Sequence, residues 1–447
     1  MATDTIFALA SGRGKAGIAV IRVSGPGAKP AVRALSGREL AVRRAQRIEI
    51  VDPSSGEILD QGLGLFFPGP ASFTGEDVLE LQVHGGFAVI EGVLGALSRM
   101  DGLRMAEPGE FTRRGFENGK IDLTAAEGVL DLVDAETAAQ RRQALRQMGG
   151  ALAEFCDDGR ARLVEACAHW EAAIDFSDEE LPADLEQNVT ERVQALVEEI
   201  EEALADRGRG ERLRHGVEIA IVGPPNAGKS SLLNRLARRD AAIVSETAGT
   251  TRDVIEAHFE IGGYPAIFAD TAGLREAGDD IEREGVRRAK DRAAQADLRL
   301  IVLDGATWPE IDSETAAIHQ DGGVAVINKI DTLETAVPDD WQGRPVIGVS
   351  AKTGAGIDEL FSALEARIAE SFEEGVAPIV TRARHRVALE ETLEALQRFV
   401  EAPSRMAQPE LAAEDLRLAA RALGRVTGSV DVEDLLDVIF ADFCIGK

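Results

Sequence analysis

Cysteine, basic charge and long apolar runs are all scarce in this 447-residue chain, and each shortage removes a class of answers. The three cysteines, Cys156, Cys167 and Cys444, show neither the CxxC spacing of a zinc site nor an even disulfide framework. That usage fits a reducing compartment, with Cys156 and Cys167 expected as buried thiols on apolar helical patterns. Lys and Arg number 49 against 78 Asp and Glu, a net charge of −29, so no general basic surface exists for nucleic acid or an anionic membrane. Any RNA contact is expected to be confined to a local concentration of Lys and Arg, or assisted by a partner. No run of about 18 apolar residues occurs, and the N-terminus lacks a basic stretch followed by an apolar core. Neither a membrane span nor a signal peptide is expected, and the reading is cytoplasmic. No repeat of about 20 to 50 residues is evident, which argues against a solenoid.

The length suggests about three domains. Residues 1–120 mix short β-like runs, at 17–23 and 77–83, with a helical stretch near 89–98, and read as a compact α/β domain. Gly12-Arg-Gly14-Lys-Ala-Gly17 satisfies GxGxxG, yet a β-branched run follows where a dinucleotide fold needs a helix, so it reads as a strand-to-strand loop. From 121 to 215 the texture turns helical. Leu145, Met148, Leu152 and Phe155 are spaced for one helix face, and Leu163, Cys167, Trp170 and Ile174 for another. The charge flips from Glu198, Glu199, Glu201 and Glu202 to Arg207, Arg209, Arg212 and Arg214, which predicts a solvated connection into a unit over 216–379. Helical texture returns over 380–447, so the middle unit is expected to be inserted into a helical one.

That middle unit carries the chemistry. Residues 223–230 read Gly-Pro-Pro-Asn-Ala-Gly-Lys-Ser, after an apolar β-rich run at 217–222 and before a helix-forming run at 231–239. In this pattern Gly223 and Gly228 let backbone N–H groups wrap phosphates, Lys229 meets the β and γ oxygens, and Ser230 offers its hydroxyl to Mg²⁺. Thr251, in the polar run 245–253, is the candidate for a second Mg²⁺ ligand. The run 266–269 ends in Asp270-Thr-Ala-Gly273, a carboxylate at a strand tip and a glycine amide for the γ-phosphate. Asn328-Lys329-Ile330-Asp331 and Ser350-Ala351-Lys352 each follow a strand-like run. A carboxylate at Asp331 accepts from guanine N1–H and the N2 amino group, whereas adenine offers neither, so GTP is favoured over ATP.

Two details set the unit apart from a Ras-like timer. Leu274 stands where a Ras-like protein carries a water-orienting glutamine, so another group must do that work, with Glu276, Asp279, Asp280 and Glu282 all nearby. Asn226, inside the phosphate loop, could join carbonyls of the 245–250 loop in coordinating a monovalent cation, in the role an arginine finger plays elsewhere.

These motifs, the inserted arrangement and the terminal Phe443-Cys-Ile-Gly-Lys447 closely resemble the MnmE/TrmE family of tRNA-modification GTPases, over the whole chain. The resemblance implies a multidomain α/β protein: an N-terminal α/β tetrahydrofolate-binding, dimerising domain, a discontinuous all-α domain, and an inserted Ras-like P-loop GTPase domain with a mostly parallel sheet. It implies a homodimer that works with the flavoprotein MnmG, in a heterotetramer or larger complex, on C5 of the wobble uridine (position 34) of certain tRNAs. FAD would enter only through that partner. The implied GTP site comprises Asn226, Ala227, Gly228, Lys229, Ser230 and Ser231; Ser245, Glu246, Thr247, Ala248, Gly249, Thr250 and Thr251; Asp270, Thr271, Ala272 and Gly273; and Asn328, Lys329, Asp331, Ser350, Ala351 and Lys352. It makes Ser230 and Thr251 the Mg²⁺ ligands, Asn226, Ser245, Thr247 and Thr250 the K⁺ cage, and Glu282 the water-orienting carboxylate beside Lys229. A reduced folate such as 5-formyltetrahydrofolate is placed on Arg22, Glu80, Lys120 and Lys447, which the residues alone would leave as surface charges, Arg22 and Glu80 merely flanking strands. Cys444 lies near the one-carbon chemistry or packs as a thiol beside Phe443 and Ile445.

A competing reading is a GTP-gated scaffold for RNA or ribosome assembly. The acidic balance and the lack of a basic extension weigh against it. A metabolic folate transferase using the N-terminal domain alone is a distant third.

Overall fold

The computed structural model describes residues 4–12, 14–175, 185–239, 256–270, 296–311, 323–333, 335–341, 343–372, 377–402, 409–430, 433–441 and 443–446. Two compact units emerge: residues 1–130, 147–196 and 391–447, and residues 131–146 and 197–390.

The first unit opens with strands β1 (Thr5–Leu9), β2 (Ala16–Ser24), β3 (Gln46–Val51), β4 (Ile58–Phe67), β5 (Val78–Gly85) and β6 (Leu103–Met105). They form one six-stranded sheet in the order β3-β4-β5-β2-β1-β6, antiparallel except for the β1–β6 pair. Period-2 alternation turns Ile21, Val23, Leu79 and Leu81 into a core covered by α1 (Ala28–Ser36) and α2 (Phe87–Ser98). The intervening Arg22 and Glu80 therefore share the opposite face. The GxGxxG segment joins β1 to its antiparallel neighbour β2, as a strand-to-strand loop, and a Cβ at Gly12 or Gly17 would meet nothing within 4 Å.

Helices α3 (Glu110–Glu117), α4 (Leu123–Asp134), α5 (Ala138–Met148), α6 (Ala151–Asp175) and α7 (Leu185–Leu204) follow. In the first unit α6 packs along the helix Pro409–Thr427. Buried Trp170 pins that region: its ring stands edge-on to Phe399 at 5.2 Å and its Nε1 donates to the Pro409 carbonyl at 2.9 Å. The single face expected for Leu145, Met148, Leu152 and Phe155 is not formed. Gly150, at φ +94°, ends α5 in a left-handed turn, leaving Leu145 and Met148 exposed while Leu152 is buried on α6.

The second unit holds β7 (Val217–Val222), β8 (Glu256–Ile261), β9 (Tyr264–Asp270), β10 (Leu298–Asp304), β11 (Val324–Asn328), β12 (Asp340–Trp341) and β13 (Arg344–Gly348), in the order β12-β13-β11-β10-β7-β9-β8. The interior pairs are parallel and only the two edge pairs antiparallel. Both faces are buried, Ile219, Ile221 and Val302 on one and Ala220, Val222 and Ile301 on the other, which is why these strands read as unbroken apolar runs. From β7 the chain builds first toward β9 and then toward β10, so the carboxyl end of β7 is the switch point where such sheets bind ligands.

The arginine-rich approach to this sheet is not a solvated connection. It folds as α8 (Arg209–His215), with Leu213 buried. Its charges find partners on distant segments: Arg214 meets Asp131 at 2.8 Å, an acid that Arg382 also reaches at 2.7 Å, while Arg386 holds Asp206 and Glu211 at 2.6 and 2.7 Å.

Candidate functional site

At the tip of β7 the phosphate loop curls into α9 (Lys229–Arg239). Two glycines are required there by close approach: a Cβ on Gly223 would lie 2.1 Å from the Val302 carbonyl, and one on Gly228 would lie 2.4 Å from Asn328 Nδ2. Asn226 takes a left-handed backbone at φ +62°, which Asn tolerates better than most residues, and is exposed on the loop. Lys229 Nζ donates to the Gly223 and Pro224 carbonyls at 2.8 and 2.9 Å, holding the ammonium at the mouth of the loop. Ser230, the next residue, is exposed at the start of α9.

The base-recognition segments converge on the same end of the sheet. Asn328, at the end of β11 and 1% exposed, donates Nδ2 to the Ala227 carbonyl at 2.8 Å and accepts from the Ala351 N–H at 3.1 Å. Its carboxamide thus braces the phosphate loop against the Ser350-Ala351-Lys352 turn. Lys329, left-handed at φ +63°, is pinned by Asp304 Oδ2 at 2.7 Å. Asp331 Oδ1 accepts from the buried Ser350 hydroxyl at 2.6 Å, and Lys352 Nζ stands 3.9 Å from Oδ2. The Ser350 hydrogen bond, helped by Lys352, holds the Asp331 carboxyl below the usual carboxylate range, so it is an acceptor at neutral pH.

Asn226, Ala227, Gly228, Lys229, Asn328, Lys329, Asp331, Ser350, Ala351 and Lys352 are thus brought together, while the loop residues 245–251 and 271–273, with Leu274 and Glu282, lie outside the described residues. Asp270 ends β9, paired with Ile221 on β7, but its side chain also lies outside them.

A second cluster lies on the face of the first unit's sheet opposite α1 and α2. Arg22 and Glu80 are cross-strand partners on β2 and β5, and the guanidinium donates to Glu80 Oε1 from Nη2 at 2.9 Å and Nε at 3.1 Å. They sit inside strands rather than flanking them. The rings of Phe73 and Phe111 each lie 5.7 Å from the Arg22 guanidinium carbon, two contacts that sequence reasoning missed because neither aromatic belongs to a charged motif. The Phe73 segment continues to Gly75, where a Cβ would come within 3.3 Å of the Lys120 side chain, so that lysine borders the same loop.

Beneath it runs a buried polar network. Arg114, 3% exposed, meets Asp4, Glu76 and Glu110 at 2.9, 3.2 and 3.0 Å. Ser24 Oγ donates to Glu76 at 2.7 Å and pairs with Thr74 Oγ1 at the same distance.

The C-terminal motif docks on this unit. Ile445 bridges to Pro108, the Gly109 N–H points to the Cys444 carbonyl at 3.5 Å, and Phe443 is buried with Phe440 and Leu123. Gly446, at φ +104°, approaches β1 so closely that a Cβ would lie 2.1 Å from the Leu9 carbonyl. Cys444 itself is exposed, as is Ile445 beside it, so it is not a packed thiol. Cys156 is buried, whereas Cys167 is half-buried, its thiol pushed up to about 11 by burial and by Glu171. Lys447 lies outside the described residues.

The family model described as MnmE helical domain matches residues 123–444, and that described as GTP-binding protein TrmE N-terminus matches residues 5–120. The tRNA modification GTPase MnmE of Paramagnetospirillum magneticum is 56% identical over 451 residues, covering 100% of both chains. The protein of that name from Parvibaculum lavamentivorans is 57% identical, covering 99% of this chain and 100% of its own. Among solved structures, the G domain of the T. maritima FeoB iron transporter aligns at 24% identity over 35% of this chain and 98% of its own, with a TM-score of 0.26. Matched by family models from one end to the other and by relatives over its full length, the chain belongs to the MnmE family of tRNA modification GTPases.

Proposed function

We propose that this protein hydrolyses GTP in a K⁺- and Mg²⁺-dependent cycle. With the flavoprotein MnmG it would couple that cycle to modification at C5 of the wobble uridine of certain tRNAs, in the cytoplasm and as a homodimer. The observation that carries the nucleotide half is the Asp331–Ser350 hydrogen bond at 2.6 Å. It keeps an ionised carboxylate where guanine would present two donors, and the Asn328 brace ties that carboxylate's turn to the phosphate loop. Lys229 binds the β and γ oxygens in this reading, and the glycines of the loop let its amides do the same.

Mg²⁺ suits the hydroxyl of Ser230 with Thr251, and K⁺ suits the carboxamide of Asn226 with Ser245, Thr247 and Thr250. The Asn226 carboxamide enters no hydrogen bond among the described residues, so its oxygen is available. Both cations supply positive charge to the departing phosphate. Glu282 orients the attacking water, since Leu274 has no group to do so.

Arg22, Glu80, Lys120 and Lys447 form the proposed reduced-folate site. A carboxylate fixed by a guanidinium between two aromatic rings suits a flat heterocycle that carries amide-like donors. The seated C-terminal segment brings the exposed Cys444 to the same unit, and Lys447 follows that segment in the sequence.

Replacing Na⁺ by K⁺ should raise GTP turnover by orders of magnitude, and equal rates in the two salts would refute the cation role. Deleting Lys447 should abolish binding of 5-formyltetrahydrofolate while sparing GTP. Wobble-uridine nucleosides from cells lacking the protein test the whole reading: unchanged nucleosides would leave only the GTPase.

A further inference from the structure

In a chain of net charge −29, every charged residue that α5 exposes is basic. Residues 137–153 contain Arg141, Arg142 and Arg146 and no Asp or Glu. On α5 the faces separate cleanly: Arg141, Arg142, Leu145 and Arg146 are exposed, whereas Ala139, Gln143 and Ala144 are buried. Gln140 and Gln143 anchor the buried face, donating to the carbonyls of Arg214 at 3.0 Å and Gly210 at 3.1 Å.

Acid partners are plentiful elsewhere, and other arginines find them, as Arg214 and Arg382 do on Asp131 and Arg417 on Glu171. The side chains of Arg141, Arg142 and Arg146 enter no ion pair or hydrogen bond among the described residues. Arg142 and Arg146 stand one turn apart, so like charges repel with nothing between them to compensate. A merely solvated face would be served as well by mixed signs, which would stabilise the helix.

We infer that this face of α5 docks the sugar-phosphate backbone of a structured RNA. Three guanidiniums on a rigid helix repeat at about 5.4 Å per turn and present forked donors to phosphate oxygens. The face carries no aromatic side chain, so it positions backbone rather than reading or stacking on bases. An anionic membrane fits less well, because a membrane-surface helix needs a wide free apolar face and α5 turns its other side into the protein. The inference rests on the tRNA reading above and assigns it a contact surface.

The test uses the full-length protein and a fluorescently labelled, unmodified tRNA transcript, with affinity followed by anisotropy across a salt series. The triple variant Arg141→Gln/Arg142→Gln/Arg146→Gln should bind at least about tenfold more weakly, and its salt slope should fall by about 2 to 3, near one for each phosphate no longer neutralised. GTP turnover without RNA should be unchanged, which reports that the variant is folded, and the corresponding triple Lys variant should keep most of the affinity. Unchanged affinity and slope would overturn the inference. So would loss of binding to phosphatidylserine vesicles with tRNA binding intact, which would assign the face to a membrane. If the wild-type protein binds no tRNA at any salt, the docking surface falls, while nucleoside analysis in cells still decides the proposed function separately.

Discussion

Asn328 holds the phosphate loop from the far side of the base-recognition turn, its Nδ2 donating to the Ala227 carbonyl at 2.8 Å. The same carboxamide accepts from Ala351 N–H, so it serves the protein before any base. Asn328→Ala removes a partner from two backbone groups at once, which should cost about 1–3 kcal/mol of stability. It should also weaken GTP, GDP and xanthosine nucleotides alike. Fluorescent-nucleotide titrations check this: a loss confined to guanine would instead make Asn328 a base contact.

Asp331 should behave oppositely. Xanthine carries a C2 carbonyl where guanine carries an amino group, so Asp331→Asn replaces an acceptor with a donor that matches xanthine. Losing charge-assisted hydrogen bonds should weaken GTP by about 3 kcal/mol, roughly a hundredfold, and xanthosine triphosphate should gain relative to GTP. Competition between the two nucleotides reads the switch directly.

The Ser350 hydroxyl sets where this recognition fails in acid. Its hydrogen bond is the largest influence lowering the Asp331 carboxyl, so the ionised form persists below the ordinary carboxylate range. Ser350→Ala should raise that carboxyl toward its ordinary value of about 3.9. The acid limb of GTP affinity should then move to higher pH, with affinity at pH 7 much less affected. An unshifted acid limb would show that Ser350 does not tune Asp331.

What could be read before the fold was known depended on distance along the chain. The phosphate loop and the Asn328 to Asp331 segment are local: each packs its chemistry into a few residues at a strand end, so order and spacing reveal them. The parallel sheet was legible for the same reason, since strands buried on both faces are unbroken apolar runs. Arg22 and Glu80 are partners only through the β2–β5 register, and Phe73 and Phe111 reach Arg22 from separate segments, so no short window contains the cluster. Periodicity misled at Leu145 to Phe155 because a helical repeat continues in phase across a break that Gly150 makes in the backbone. The charge run before β7 looked solvated because its partners, Asp131 and Arg386 among them, are supplied by other segments.

The Arg114 network predicts an acid-sensitive first unit. Burial acts to raise the Glu110 carboxyl, but hydrogen bonds from Arg104, the Glu107 N–H and Arg114 outweigh it and hold the group below its ordinary 4.5. A carboxyl depressed on folding contributes stability that is fully present above its unfolded value and lost as pH falls through the folded one. Unfolding midpoints should therefore be flat above about pH 5 and fall steeply below about 4.3. Glu110→Gln should flatten that fall. At neutral pH, Arg114→Met should destabilise by about 3–5 kcal/mol, because Asp4, Glu76 and Glu110 lose their shared cation. Denaturant midpoints across pH measure both effects.

The seat of the C-terminal segment offers a way to separate the two proposed sites. Gly446 has φ +104°, and a Cβ there would lie 2.1 Å from the Leu9 carbonyl, a backbone atom that cannot swing aside. Gly446→Ala must therefore lift the segment from β1 or strain it, at a cost of about 1–3 kcal/mol. Either outcome displaces the residue next to Lys447 from the sheet that carries Arg22 and Glu80. Reduced-folate affinity should drop about tenfold or more, and amide protection at Gly109, whose N–H faces the Cys444 carbonyl, should fall with it. GTP affinity should stay as it was, because the phosphate loop lies in the other compact unit. Gly56→Ala is the matching control: its φ of +74° is equally left-handed, but a Cβ there meets nothing within 4 Å, so it should strain the backbone without touching folate binding. If the two variants behave alike toward folate, the docked C-terminus plays no part in that site.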